Sequence, residues 1–155
     1  MRRADFRIRP ATEADSGFVL GLARRFAETR PHWRSDAEVT GGTARALEKA
    51  LSESNANEAL LIAEASGDTR EGLVYVVAAT DFFTNERVAH ISEIAVTRDG
   101  TGAGTALMRA AEAWALARDA RYVSLHVNAP NERARAFYEN LGYDLEWYRL
   151  NKRLR

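Results

Sequence analysis

Between residues 99 and 106 the chain reads Asp99-Gly100-Thr101-Gly102-Ala103-Gly104-Thr105-Ala106, and this stretch stands between a β-patterned run and a helical one. Glycines at such a junction let an anion approach the backbone closely, and the unpaired N–H groups and dipole of the helix start favour phosphate there. A flexible turn with small residues for tight helix–strand packing accounts for the same letters. Two phosphate motifs are excluded by position. A Walker loop ends in Gly-Lys-Ser/Thr, and no lysine is present here. A dinucleotide fingerprint needs a third glycine three residues after the second, where this chain has Thr105 or Leu107.

Composition bounds the remaining chemistry. Of the 155 residues, 46% are hydrophobic and 28% charged, and none is cysteine. Disulfides, a thiolate nucleophile, iron–sulfur centres and cysteine-based zinc sites are therefore excluded. His32, His90 and His126 lack paired ligand spacing, so no metal is expected. Lys+Arg 22 against Asp+Glu 22 argues against a general nucleic-acid binder, which needs a basic excess. The longest apolar run, Leu73 to Ala79, is far short of the about 20 residues that span a bilayer, so no membrane partner is expected. Met1-Arg2-Arg3 is followed by polar residues rather than an apolar stretch, which does not read as a secretory signal. A cytoplasmic location is expected.

The elements that hold the loop are legible from periodicity. Phe6 to Arg9 alternates apolar and charged and reads as a short strand. A helix follows from the Thr12/Asp15 capping spacing, with Phe18, Leu22 and Phe26 along one face and charged Arg24, Arg25, Glu28 and Arg30 as a solvated face. His32 to Gly42 reads as a connection, and Thr43 to Ser54 as a second helix with Ala46, Leu47, Ala50 and Leu51 inward. Ala59 to Ala65 and Gly72 to Phe82 form a hairpin turning at Gly67-Asp68, and Val88 to Thr97 extends the meander. A helix after the glycines carries Leu107, Met108, Ala110, Ala111, Trp114 and Ala115 inward; a strand over Tyr122 to Asn128 follows, parallel to the Val88 run. The last helix, Asn131 to Leu141, stops at Gly142, and runs at Tyr143 to Leu145 and Trp147 to Leu154 read as terminal strands. Residues 1–155 are thus expected to form a single α+β domain, with a mixed, mostly antiparallel sheet of about seven strands and about four flanking helices.

Strand, glycine loop and helix, together with Asn131-Glu132-Arg133-Ala134-Arg135-Ala136-Phe137-Tyr138-Glu139-Asn140-Leu141-Gly142-Tyr143, closely resemble the GCN5-related N-acetyltransferase family. The opening Ile8-Arg9-Pro10-Ala11-Thr12 with Asp15 is similar to the family's first strand and helix. The resemblance implies acetyl-CoA as co-substrate, its pyrophosphate on the loop, and direct transfer of the acetyl group to an amine. It implies cofactor contacts from Ala95, Val96, Thr101, Gly102, Ala103, Gly104, Thr105, Asn131 and Tyr138. The loop departs from the family pattern at Asp99, where Arg or Gln is usual, and at Thr101, where a basic residue is common. The connection from Val96 to Gly100 is also shorter than usual. A carboxylate aimed at a pyrophosphate repels it, and Arg98 is the neighbour expected to offset the charge.

Direct transfer needs a neutral amine, a stabilised oxyanion and a proton for the departing thiolate. Tyr138 resembles the family tyrosine that protonates the sulfur, and a phenol of pKa about 10 is reasonably matched to an alkyl thiolate. It also lies on the apolar stripe of its helix. Glu93, in Ser92-Glu93-Ile94-Ala95-Val96, stands where many family members place the carboxylate that accepts the amine proton. Simple alternation puts it beside Ile91 and Ala95 and puts His90 on the opposite face unless a bulge intervenes. The family's oxyanion donor corresponds to the Val96 N–H. Asn131 is equally suited to capping the last helix.

For the acceptor, the aromatics Trp33, Phe82 and Phe83 are the candidate contacts, with His32, Trp147 and Tyr148 nearby in kind. They suit an apolar amine or a cation, or simple packing. The expected activity is N-acetylation of a small-molecule or protein amine. The alternative, motivated by the altered loop, is a non-catalytic CoA-binding regulatory module on the same fold. Ala89 and Ala95 leave room for a longer acyl group. A homodimer is plausible because Trp147, Tyr148 and Leu150 lie in terminal runs at a sheet edge.

Overall fold

The computed structural model describes residues 5–155; the Met1-Arg2-Arg3 start lies outside the described residues. Its elements are β1 (Arg7–Pro10), α1 (Ser16–Leu22), α2 (Asp36–Ser52), β2 (Glu58–Ala65), β3 (Thr69–Thr80), β4 (Arg87–Val96), α3 (Ala103–Leu116), β5 (Val123–Leu125) and α4 (Glu132–Asn140). The strands form one mixed sheet in the order β1-β2-β3-β4-β5. All neighbours are antiparallel except β4 and β5, which run parallel across the α3 crossover.

Two apolar clusters sandwich the sheet. On one face Val19, Leu22, Ala23, Leu47 and Ala50 of the first two helices cover Leu60, Ile62, Leu73 and Tyr75. On the other, Leu107, Met108, Ala111 and Ala115 of α3 cover Val74, Val76, Ala89 and Ile91, with Phe137, Tyr138 and Leu141 of α4 at the margin. The α3 and α4 stripes match their periodicity. In the first helix the buried side is Val19, Leu22 and Ala23 rather than the Phe18/Leu22/Phe26 line, because 3-10 segments (Glu13–Asp15 and Ala23–Ala27) flank α1 and shift its phase. The second helix begins earlier than its apolar pattern, at a capping box: the Ser35 hydroxyl accepts from Glu38 N–H (3.1 Å), and the Glu38 carboxylate accepts from Ser35 N–H (2.7 Å).

The sheet has five strands among the described residues, not about seven. Residues 143–155 form no strand, and Leu145, Trp147, Tyr148, Leu150 and Leu154 are exposed. The physical reason is the brevity of β5: three residues offer few backbone groups for a further strand to pair with.

The entrance to α1 is tied down by charge. Asp15, with no solvent exposure, accepts both Arg9 guanidinium nitrogens (2.7 and 2.8 Å), Arg70 Nε (2.7 Å) and Thr12 N–H (2.8 Å). Arg9 also donates to Glu64 at 2.7 Å. This network joins β1, β2, β3 and the first helix. Among the described residues no helix is long and apolar enough to cross a membrane.

Candidate active site

A β-bulge sets the geometry of β4. Tyr75 pairs with Glu93 but Val76 pairs with Ile91, so Ser92 is an extra residue and is exposed. Alternation restarts after it. Glu93 and Ala95 pair with Tyr75 and Leu73 and face the first two helices, whereas Ile91 joins the α3 cluster; Ile91 and Glu93 therefore do not share a side. His90, paired with Val77, comes to the Glu93 side. There its Nδ1 lies 2.9 Å from Ser124 Oγ, and its ring packs on His126 with centroids 4.9 Å apart. Burial raises the Glu93 carboxyl to about 7, into the range where a base accepts a proton reversibly near neutrality. Burial, with His126 adding to it, lowers the His90 imidazole below its ordinary value.

Beyond the bulge β4 parts from β5. Their pairing covers only Ala89–Ile91 against Val123–Leu125. Thr97 N–H donates to the Glu71 carbonyl (2.9 Å), the rung beyond Gly72–Val96. Rungs alternate in direction, so the N–H and C=O of Val96 point away from β3, into the gap that opens toward β5. The gap leads to the glycine loop. Gly100 (φ 77°) and Gly102 (φ 93°) are left-handed, and Gly102 caps α3. The first intrahelical bond runs from Ala106 N–H to the Gly102 carbonyl, so the N–H groups of Ala103, Gly104 and Thr105 belong to the open helix end; Thr101 Oγ1 accepts from Ala103 at 3.3 Å. A Cβ on Gly104 would lie 3.4 Å from the Phe137 ring, so α4 packs in van der Waals range of the loop.

Asn131 caps α4, its Oδ1 accepting from Ala134 N–H at 3.1 Å. Two turns further on, Tyr138 packs edge-on against Phe137 and Tyr143, on the α3 face of the sheet. Burial alone pushes its phenol up to about 12, so it stays protonated across the neutral range. Tyr143 is fixed in turn by donating to Glu112 (2.9 Å).

The acceptor aromatics do not converge. Phe82 and Phe83 meet edge-to-face at the tip of the β3–β4 hairpin, where Phe83 stacks on Trp147 at 6.2 Å. Trp33 carries the Arg34 guanidinium 4.1 Å above its ring and lines an open cleft with His32, Leu150, Asn151, Lys152 and Arg153. The C-terminal segment links the two groups.

Two charge assignments are corrected. Arg98 does not offset Asp99: it turns to the buried Glu71 (3.1 Å), which also accepts from Thr97 Oγ1 (2.6 Å). Arg25 is not part of a solvated face. Its Nη1 donates to the carbonyls of Val96 (2.6 Å) and Thr97 (2.9 Å), and its Nη2 lies 3.6 Å from Asp99. Arg133 approaches the same carboxylate at 3.0 Å. In the sequence Arg25 reads as part of a solvated face and Arg133 is given no role at the loop; the signal for both is the uncompensated Asp99 itself. The donor set, open-helix N–H groups with two guanidinium groups, suits a diphosphate. Among the described residues no group of three or more His, Cys, Asp or Glu is placed to hold a metal ion.

This geometry agrees with comparison to known proteins. Residues 25–143 match the acetyltransferase (GNAT) family. The chain belongs to that family. A structure from Pyrococcus furiosus, provisionally described as an acetyl transferase, is 24% identical with a TM-score of 0.77, covering 97% of this chain and 100% of that one. The aminoglycoside N-acetyltransferase AAC(6′)-Iy, in complex with CoA, is 18% identical with a TM-score of 0.73, covering 99% and 97%. A ribosomal-protein-alanine N-acetyltransferase from Brucella melitensis biovar Abortus 2308 is 19% identical with a TM-score of 0.70, covering 97% and 100%. At these identities the likeness establishes the fold. Among curated proteins none matches.

Proposed function

We propose that the chain is an acetyl-CoA-dependent N-acetyltransferase that passes the acetyl group directly to a primary amine of a small molecule or protein. The observation that carries the reading is the opposition of Glu93 and Tyr138 across the sheet. The raised carboxylate lies on the α1/α2 face and the protonated phenol on the α3 face, with the Val96 N–H in the gap between β4 and β5. Such a split keeps the proton acceptor and the proton donor on opposite sides of the reacting centre.

Acetyl-CoA supplies an activated thioester carbonyl. The N–H groups of Gly102, Ala103, Gly104 and Thr105, with Thr101, hold its pyrophosphate, and Ala95, Val96 and Asn131 flank its pantetheine arm. Glu93 takes the proton from the amine as the C–N bond forms. Val96 N–H donates to the carbonyl oxygen as charge grows there. Tyr138 gives its proton to sulfur as the C–S bond breaks. Trp33, Phe82 and Phe83 guide the acceptor along the C-terminal segment. Residues 1–155 act as one domain in the cytoplasm, and the exposed apolar tail supports pairing of two copies.

Asp99 in the loop favours a second reading, a CoA-binding regulatory module without turnover. The test is thiol release from acetyl-CoA across a panel of primary amines, repeated with Glu93→Gln and Tyr138→Phe. An enzyme releases thiol with at least one amine and slows in both variants while CoA affinity holds. CoA binding with no release for any amine supports the module.

A further inference from the structure

Asp99 is the residue of the glycine loop least suited to an anion site, yet it organises the charge around it. Its Oδ2 lies 3.0 Å from Arg133 Nη1 and 3.6 Å from Arg25 Nη2. One oxygen thus gathers guanidinium groups from the segment after α1 and from the first turn of α4. The two arginines differ in freedom. Arg25 is anchored by the Val96 and Thr97 carbonyls and is 27% exposed, whereas Arg133 is 73% exposed and has Asp99 as its ion-pair partner. Arg98, the other cation next to the loop, is held by Glu71.

We infer that Asp99 is a resident counter-ion which the diphosphate of the incoming nucleotide displaces, taking over Arg133 and Arg25. The inference rests on the acetyl-CoA reading above. A carboxylate brings one negative charge, whereas a diphosphate diester brings two and more acceptor oxygens, so guanidinium groups exchange toward the diphosphate. Asp99 keeps both arginines gathered at the loop before binding. It also weakens the complex it prepares, because its pairs must open and its charge then stands beside the phosphates. Asp99 therefore yields its arginines to a diphosphate and not to the uncharged pantetheine arm, which makes no claim on them. Arg133, being exposed, makes the movement; Arg25 holds the end of β4 while it does.

The test is calorimetric titration of the full chain, Asp99→Asn and Arg133→Gln with CoA, 3′-dephospho-CoA and pantetheine, with circular dichroism as a check of folding. Asp99→Asn is expected to bind CoA and dephospho-CoA about tenfold more tightly and Arg133→Gln about tenfold more weakly, the scale of one charge-assisted contact. Pantetheine affinity is expected to be the same in all three. Unchanged or weaker CoA binding by Asp99→Asn overturns the inference. So does a pantetheine response that follows CoA, or a dephospho-CoA affinity insensitive to Arg133, which would assign that arginine to the 3′-phosphate. If only Asp99→Asn binds CoA, the counter-ion role is upheld in its strongest form. If none of the three proteins binds CoA, the acetyl-CoA reading fails with it, whereas equal CoA affinities in all three remove the counter-ion alone.

Discussion

His90 and Glu93 face the same side of the sheet although three residues apart, because the bulge at Ser92 resets the alternation of β4. An odd separation on a regular strand would place them on opposite faces. The bulge thus gathers Glu93, His90, Ser124 and His126 on the face of the first two helices, and beyond it β4 separates from β5.

Glu93 gives the first prediction, a pH dependence. Its carboxyl is raised to about 7 by burial, so the deprotonated base disappears below neutrality. The rate, kcat/KM, should rise about tenfold per pH unit up to an inflection near 7 and then level, measured with an amine of low pKa so that the acceptor's own ionisation does not intrude. Glu93→Gln should lose that limb. The stability sign runs the other way. A raised carboxyl favours folding below its unfolded pKa and loses that advantage as pH rises through about 7, so Glu93→Gln should gain stability over the parent at pH 8 and not at pH 4.

Tyr138→Phe separates chemistry from binding. Deleting a general acid lowers kcat by about 10²–10⁴-fold. The ring still packs on Phe137 and Tyr143, so CoA affinity and Tm should stay close to those of the parent. An equal loss of affinity and rate would assign the hydroxyl to binding.

The family, the layered α+β arrangement and the loop were legible in the residues because they depend on local pattern: the glycines at 100, 102 and 104, the Asn131 cap, the α3 and α4 stripes. The bulge was not, since Ser92 carries no local mark of being unpaired; its register is decided by Tyr75 and Val76 on the neighbouring strand. Arg25 was missed for the same kind of reason. Its partners are Val96, Thr97 and Asp99, some seventy residues on, and a charged residue on an amphipathic helix looks solvated until the fold brings a carbonyl to it. The terminal strands were over-read because alternation near Trp147 marks only the capacity to pair, and β5 offers a three-residue edge.

Asp15 should be the costliest surface-distant charge to remove. Asp15→Ala leaves Arg9 and Arg70 without their shared carboxylate, a loss of about 3–5 kcal/mol in urea unfolding. The guanidinium of Arg9 holds the Asp15 carboxyl well below the usual range. A depressed carboxyl stabilises the fold above its unfolded pKa of about 4 and loses that contribution as pH falls below it. Acid unfolding of Asp15→Asn should accordingly show a shallower dependence on pH than the parent.

Gly72 faces β4 at close range: a Cβ there would lie 2.7 Å from the Ala95 carbonyl and 3.0 Å from the Leu107 and Val96 side chains. Gly72→Ala should cost about 1–3 kcal/mol through overpacking. Because the displaced strand carries Val96, its kcat should fall more than a stability loss alone explains, measured well below Tm.

The central claim is that this chain binds acetyl-CoA through its glycine loop, and thermal unfolding with and without acetyl-CoA, against ATP and NADPH, tests it most directly. Acetyl-CoA at a hundred times its Kd should stabilise the fold by about 2.7 kcal/mol and raise Tm, with the two other nucleotides producing no comparable shift. No rise at millimolar acetyl-CoA, or an equal rise with ATP, would contradict the account.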